Sequence, residues 1–175
     1  MYFIYFLAFI RWLLHRFIYG SFSGSYIGLL HPTSIVSISN KVHVRDRLIL
    51  WRGASLIVEG TCVIDGRITV NDFSRIVVKD SVTFEGDALI AQMVTILDHD
   101  HYVEGTRISW GSYTTAPIKV GGNVWLGDKV TILKGVTVGD NVIVGANSVV
   151  SRDLESNGIF AGSPATKVKV LIDEY

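Results

Sequence analysis

The densest reactive chemistry in the chain is the run Asp98-His99-Asp100-His101, followed by Tyr102, Glu104, Trp110 and Tyr113. Near neutral pH an imidazole accepts a proton and returns it, which is the working property of a general base. Beside an acceptor hydroxyl, such a base promotes attack of the oxygen on an activated acyl group, and backbone N–H groups steady the developing oxyanion. The aromatic rings suit the flat faces of a sugar. Histidines and carboxylates are also metal ligands. No histidine follows His101, so a zinc site would need its third nitrogen from His43, His31 or another chain. A third reading leaves the run as a polar, exposed loop. Which of Asp98, Asp100 or Glu104 would orient a base is open at this level, and Asp87 is a further acid upstream.

What must position this run is a repeat. From Ile118 to Val150, Val120, Leu126, Ile132, Val138, Val144 and Val150 recur every six residues. Two places before each stand Ile118, Val124, Val130, Val136, Val142 and Ser148, with Gly121, Gly122, Gly127, Gly139 and Gly145 near the corners. This period fits neither a helix nor a plain strand. It marks a hexapeptide β-helix, whose aliphatic residues point inward and stack on their equivalents one coil away. Glycine is expected at the corners for its backbone freedom.

The rhythm also runs, more loosely, from Ile35 to Ile96. Inward slots fall at Ile38, Val44, Leu50, Val58, Ile64, Val70, Val78, Phe84, Ile90 and Ile96. The two intervals of eight, 50 to 58 and 70 to 78, place two added residues at the corners WRGAS and NDFSR. Cys62 falls on a companion slot and reads as a small core residue. His43 lies between inward residues and should point outward. Between Ile96 and Ile118 the pattern stops, so residues 97–117 leave the coil as an excursion. Long loops on a rigid scaffold are where function concentrates.

The expected organisation is an apolar N-terminal helix and connector at 1–34, a β-helix at 35–152 carrying the loop 97–117, and a tail at 153–175. With 16 basic and 16 acidic residues the chain lacks the electrostatic footprint of a nucleic-acid binder. A single cysteine allows no intrachain disulfide and fits a reducing compartment, so a cytoplasmic location is expected. The uninterrupted apolar part of residues 1–19 is short for a span of about 20 residues. It has neither the basic start nor the small-residue cleavage site of a secretory signal. Two compatible readings remain: a cap over one end of the coil, or a helix lying in the headgroups of a membrane.

The segments PIKVGGNVWLGDKVTILKGVTVGDNVIVGANSVVSRD and AGSPATKV resemble the hexapeptide-repeat O-acetyltransferases, the group containing galactoside, maltose and polysaccharide O-acetylating enzymes. The resemblance covers roughly residues 35–170. It implies an all-β fold, a left-handed parallel β-helix, a homotrimer with active sites between subunits, and acetyl-CoA as co-substrate. Compared with galactoside acetyltransferase, the chain aligns without a gap from about Asn71 to Arg152. That alignment puts the catalytic histidine on His101; a slip of two residues would make it His99. It implies acceptor contacts at Asn71 and Tyr113, to which the loop aromatic Trp110 is added. Cofactor contacts are implied at Trp125, Gly127, Asp128, Ala146, Ser151 and Arg152, with Lys169 near the phosphates. Asp128 replaces a serine, so only its backbone role carries over directly. The resulting expectation is an acetyl-CoA-dependent O-acetyltransferase acting on a saccharide hydroxyl in bacterial envelope polysaccharide or lipopolysaccharide biosynthesis. An antibiotic, a nucleotide sugar or serine as acceptor, and a non-catalytic or zinc-binding β-helix, are the alternatives.

Overall fold

The computed structural model describes residues 2–18, 22–23 and 27–171. Among these residues the strands form three parallel sheets and one antiparallel ribbon. The sheets are the sides of a prism, and the chain visits them in strict rotation. The first side runs from Phe22–Ser23 to Thr137–Val138 and the third from Ile35–Ile38 to Val149–Val150. The second runs from Ile27–Leu30 to Gly158–Ala161, where Thr166–Val170 turns back antiparallel. The architecture is a parallel β-solenoid of hexapeptide type with an N-terminal helix.

The interior is formed by in-register columns. On the first side Val42, Cys62, Val82 and Ile118 stack, as do Val44, Ile64, Phe84 and Val120 beside them. On the second side Leu50, Val70, Ile90, Leu126 and Val144 form one line. All of these are fully buried. Burying each large aliphatic side chain contributes about 1.5–3 kcal/mol. Outward positions alternate with inward ones, so a four-residue strand such as Arg47–Leu50 reads exposed, buried, half-buried, buried.

The register moves the two added residues of the early coils. Leu56, Ile76, Ile96 and Ile132 share one column on the third side. The second-to-third corner therefore has the same length in early and late coils. The extra pair lies instead at the end of the third side, where Ile38, Val58 and Val78 form an additional inward column. Equal six-residue steps through Ile90 and Ile96 hid this, because Ile96 stacks on Ile76 rather than on Val78.

The coil also begins before residue 35 and ends after 152. Ile27–Leu30 pairs with Arg47–Leu50, although YIGLL lacks the hexad rhythm. At the other end Leu154 bridges to Val138, and Gly158–Ala161 adds a further rung. The returning strand Thr166–Val170 covers that rung's open edge, which removes a template for aberrant strand pairing.

Corner glycines serve a different need from the one expected. None of Gly121, Gly122, Gly127, Gly139 and Gly145 has a positive φ. The left-handed position at the second-to-third corner is held by Gly53, Phe73, Met93, Lys129 and Asn147 in turn. At Gly127 a Cβ would lie 2.8 Å from the Ala146 nitrogen of the next coil, so the requirement is close backbone approach.

Helix α1 (Tyr2–Leu13) closes the first end of the prism, followed by a π-helical turn at Leu14–Ile18. Trp12 joins the core beside Leu30. The Arg11 guanidinium donates to the carbonyls of His31 and Pro32, at 2.7 and 3.1 Å, and to the Ser34 hydroxyl at 3.1 Å. The capping reading of the N-terminal segment is thus realised. His43 is half-buried on the outer surface, with Nδ1 3.0 Å from the Ser23 hydroxyl.

Cys62 lies fully inside the first-side column, and its thiol is pushed up to about 12 by burial and by the negative charge of Asp98. It should resist iodoacetamide at pH 8 in the native protein and react on denaturation, read by mass spectrometry. Leu126→Ala should lower stability by about 2–5 kcal/mol in denaturant titrations, because the stacked column cannot collapse around the cavity.

Candidate active site

The excursion is an antiparallel ribbon of two strands, His99–Glu104 and Arg107–Thr115. It leaves at the third-to-first corner of the fourth coil. Its base is closed by the Ala116 N–H donating to the Asp98 carbonyl at 3.0 Å. Ile118 then resumes the first side, in register on Val82. At the turn, Gly105 supplies a left-handed φ of 59°.

Strand alternation puts His99 and His101 on one face of the ribbon. Tyr113 lies directly across from His101 and joins them. Its ring meets His99 edge-on at 5.3 Å between centroids, and His101 in a tilted stack at 5.1 Å. From the coil below, the Lys79 ammonium lies 4.6 Å from the Tyr113 ring centre, a cation–π contact of about 0.5–2 kcal/mol. Lys79 is also ion-paired to Glu59. Asp100, off this face, reaches Lys134 of the next coil at 3.1 Å. Lysines from the coils on either side therefore hold the ribbon root in place.

Asp98 decides how the two histidines differ. It follows the Leu97↔Val77 pair and so takes the inward place that Val78 holds one coil down. A carboxylate there is fully buried, and burying an ionised group is costly unless hydrogen bonds replace its water. Those bonds are present. The Lys79 N–H donates to Oδ1 at 2.8 Å and the Asp80 N–H to Oδ2 at 2.7 Å. The third contact is His99 Nδ1, 3.1 Å from Oδ1. An ionised carboxylate only accepts, so it selects the tautomer with the proton on Nδ1 and leaves Nε2 free as a base. The His99 side chain is 14% exposed, a partly dry position. His101 is exposed, and its Nδ1 is 3.2 Å from the carbonyl of Ser109. A neutral carbonyl supports an imidazolium less strongly than a carboxylate does.

The other expected site residues are distributed around the prism. Trp110 stands 94% exposed on the ribbon, away from the histidine cluster. Ser151 and Arg152 are exposed at the ribbon's own third-to-first edge, farther along the coil. Asn71, Gly127, Asp128 and Ala146 lie on the second-to-third edge. There Asn71 Nδ2 donates to the Ile90 carbonyl at 2.8 Å, and Asp128 accepts the Gln92 N–H at 3.0 Å. Trp125 is half-exposed on the outer second side, in line with Leu89 and Ile143. Lys169 is exposed on the returning C-terminal strand, paired with Ile159. One chain thus gathers Asp98, His99, His101, Tyr113 and Lys79, and holds the remaining candidates on other edges and faces.

Asp87 belongs to neither group. It pairs with Arg67 at the first-to-second corner, and those hydrogen bonds hold its carboxyl below the usual range. Lys79 is the site residue that the sequence reading missed. Its signal was the 20-residue spacing of the early coils, which stacks position 79 under position 99. Among the described residues no group of three or more His, Cys, Asp or Glu side chains converges as metal ligands.

The tautomer is directly observable. Long-range 15N NMR on the neutral imidazole of His99 should show a protonated Nδ1 and a bare Nε2, and Asp98→Ala should erase that preference.

Comparison with known proteins agrees with this architecture. A family model, the bacterial transferase hexapeptide (six repeats), matches residues 117–152. Over 119 residues the chain is 35% identical to WbbJ of Escherichia coli K12, which by name is assigned to lipopolysaccharide biosynthesis as an O-acetyl transferase. Over 109 residues it is 37% identical to the galactoside O-acetyltransferase of the same organism. These matches cover 63% and 62% of the chain, and 61% and 54% of the relatives' own length. Among solved structures, a variant of the Bacillus cereus N-acyltransferase AntD, in complex with a dTDP-amino sugar and coenzyme A, superposes with a TM-score of 0.71. That superposition covers 91% of this chain and 88% of AntD at 16% identity, a likeness of fold. The coil register, the matched hexads and the two O-acetyltransferase relatives together make the chain similar to the hexapeptide-repeat acetyltransferases, of whose length it spans about half to three fifths.

Proposed function

We propose that the chain is an acetyl-CoA-dependent O-acetyltransferase acting on a saccharide hydroxyl, in the assembly of a bacterial envelope polysaccharide or lipopolysaccharide. The observation that carries the reading is the Asp98–His99 pair: a buried carboxylate fixing an imidazole at the root of a protruding ribbon. The names of the O-acetyltransferase relatives support the reaction class. Acetyl-CoA supplies an acyl group already activated as a thioester.

His99 Nε2 takes the proton from the acceptor hydroxyl as its oxygen bonds to the acyl carbon. The carbon–sulfur bond breaks, and the imidazolium returns the proton to the departing thiolate. Asp98 favours the imidazolium that forms between these transfers. A covalent enzyme intermediate is not needed, and the one cysteine is buried in the coil. Tyr113 holds both imidazoles, and Tyr102 and Trp110 offer ring faces to a sugar. The exposed cations Arg152 and Lys169 suit the phosphates of the donor. Trp125 and the edge carrying Gly127, Asp128 and Ala146 complete the donor side. Because those residues and the ribbon occupy different edges of one prism, a site using both sets is assembled between copies, as in the homotrimer the family resemblance implies. A cytoplasmic location follows from the donor.

Release of free thiol from acetyl-CoA, measured with a panel of sugars, nucleotide sugars and serine, tests this reading. His99→Ala should lower kcat by about 100- to 10,000-fold, the usual contribution of a general base. His101→Ala should leave kcat within about tenfold, the effect of losing a neighbouring contact. Loss of activity only in His101→Ala would move the base to His101. Full activity in both variants would overturn general-base catalysis here, and acceleration by serine alone would overturn the saccharide acceptor.

A further inference from the structure

Helix α1 is apolar on two opposite faces, and the coil uses only one of them. Ala8 and Trp12 are buried against the end of the prism. Phe3, Phe6, Leu7, Phe9, Ile10 and Leu14 lie between 36% and 70% exposed. At about 100° per residue Phe3, Phe6, Leu7 and Ile10 share one face of the helix, opposite Ala8 and Trp12; Phe9 borders that face with its ring stacked on Trp12, and Leu14 follows at the start of the π-helical turn. Single exposed apolar residues are ordinary, but a contiguous patch marks a contact surface.

The charges on the same end of the molecule say what the patch contacts. Residues 1–45 contain Arg11, Arg16, Lys41 and Arg45 and no aspartate or glutamate; the first acid is Asp46. The other 12 Lys and Arg share the rest of the chain with all 16 acids. The neutral total therefore conceals a basic capped end and an acidic body. Arg11 donates to the carbonyls of His31 and Pro32 and to the Ser34 hydroxyl, all neutral groups, and among the described residues no carboxylate is paired with it. Arg45 lies 3.3 Å from Asp65, while Lys41 is exposed. A second copy of this end would meet it with like charge. An anionic surface meets it with opposite charge and also accepts its phenylalanines.

We infer that the outer face of helix α1 docks on an anionic lipid bilayer, with the helix axis in the plane of the headgroups. The helix has 12 residues, about 18 Å, against a hydrocarbon core of about 30 Å. No helix among the described residues is long and apolar enough to cross a membrane. The helix lies on the bilayer instead. Its aliphatic and phenylalanine side chains enter the acyl boundary, and basic groups stay at headgroup level. Trp12 and Arg11, facing the coil, keep the prism attached to the docked helix.

Flotation of the full chain with vesicles tests this, using phosphatidylcholine alone and phosphatidylcholine with about 30% phosphatidylglycerol. The wild type should bind the mixed vesicles at least about tenfold more tightly than the neutral ones, and binding should weaken as salt rises. Phe3→Asp/Phe6→Asp/Ile10→Asp, at exposed positions, should lose at least about tenfold in binding with an unchanged circular-dichroism melting curve. In the wild type, hydrogen exchange should slow on vesicles within residues 2–14 and not in the coil, a readout that does not depend on the variant folding. Equal binding to neutral vesicles, unchanged binding of the variant, or protection outside the helix would overturn the inference. So would a wild type that ignores vesicles and self-associates through this face, as judged by light scattering.

Discussion

The structure depends on one constraint: each coil must return to the register of the coil below it. A parallel ladder on three sides leaves little freedom along the strands, since each strand is paired in register with its equivalent one level away. Aliphatic side chains then stack on their own kind for the length of the prism. A two-residue addition is absorbed as an extra inward column on the third side, and a long insertion is expelled at a corner. The ribbon at 99–115 is such an expulsion, and it is also where the reactive side chains sit.

The same register that packs the core sets the chemistry. The third side of the early coils carries one more inward column than the late coils do. Ile38, Val58 and Val78 fill it in turn, and Asp98 takes the last place. With no further rung above, the carboxylate turns its hydrogen bonds to the backbone of residues 79 and 80 and to the next side chain, His99. An acid among stacked valines is tolerable because two peptide N–H groups and one imidazole replace water. Positioning of the His99 imidazole is therefore a by-product of coil closure, fixed by a carboxylate that is itself fully buried.

Much of this was legible beforehand. The hexads from Ile118 to Val150 place their inward residues correctly because each step on the late coils is six. The early coils were read in the right elements but with the extra residues at the wrong corner, since aliphatic spacing alone cannot separate Leu56 from Val58 as the partner of Ile96. The outer rungs at 27–30 and 158–161 carry a weak pattern and are held by pairing with stronger neighbours, which a linear reading does not see. The imidazoles, Asp98 and Tyr113 were visible as a composition. Their geometry was not, because Asp98 differs from Asp100 only in facing inward, and Lys79 reaches Tyr113 from 34 residues upstream. His101 stood first by alignment, whereas the buried carboxylate touches His99.

The base of the ribbon has a consequence for how such proteins diverge. The chain departs after Leu97 and is back on the ladder by Ile118, with Asp98 and Ala116 bonded across the gap. Below that junction the prism is continuous, and above it the ladder resumes in register, the coil's ion pair to the ribbon being made at its root, between Lys134 and Asp100. Evolution can lengthen, shorten or transplant the outer part of this hairpin as a cassette while the Asp98–His99 pair stays behind in the scaffold. The outer surface of the hairpin can then change by exchanging the tip alone, with the carboxylate–imidazole geometry at its root inherited unchanged.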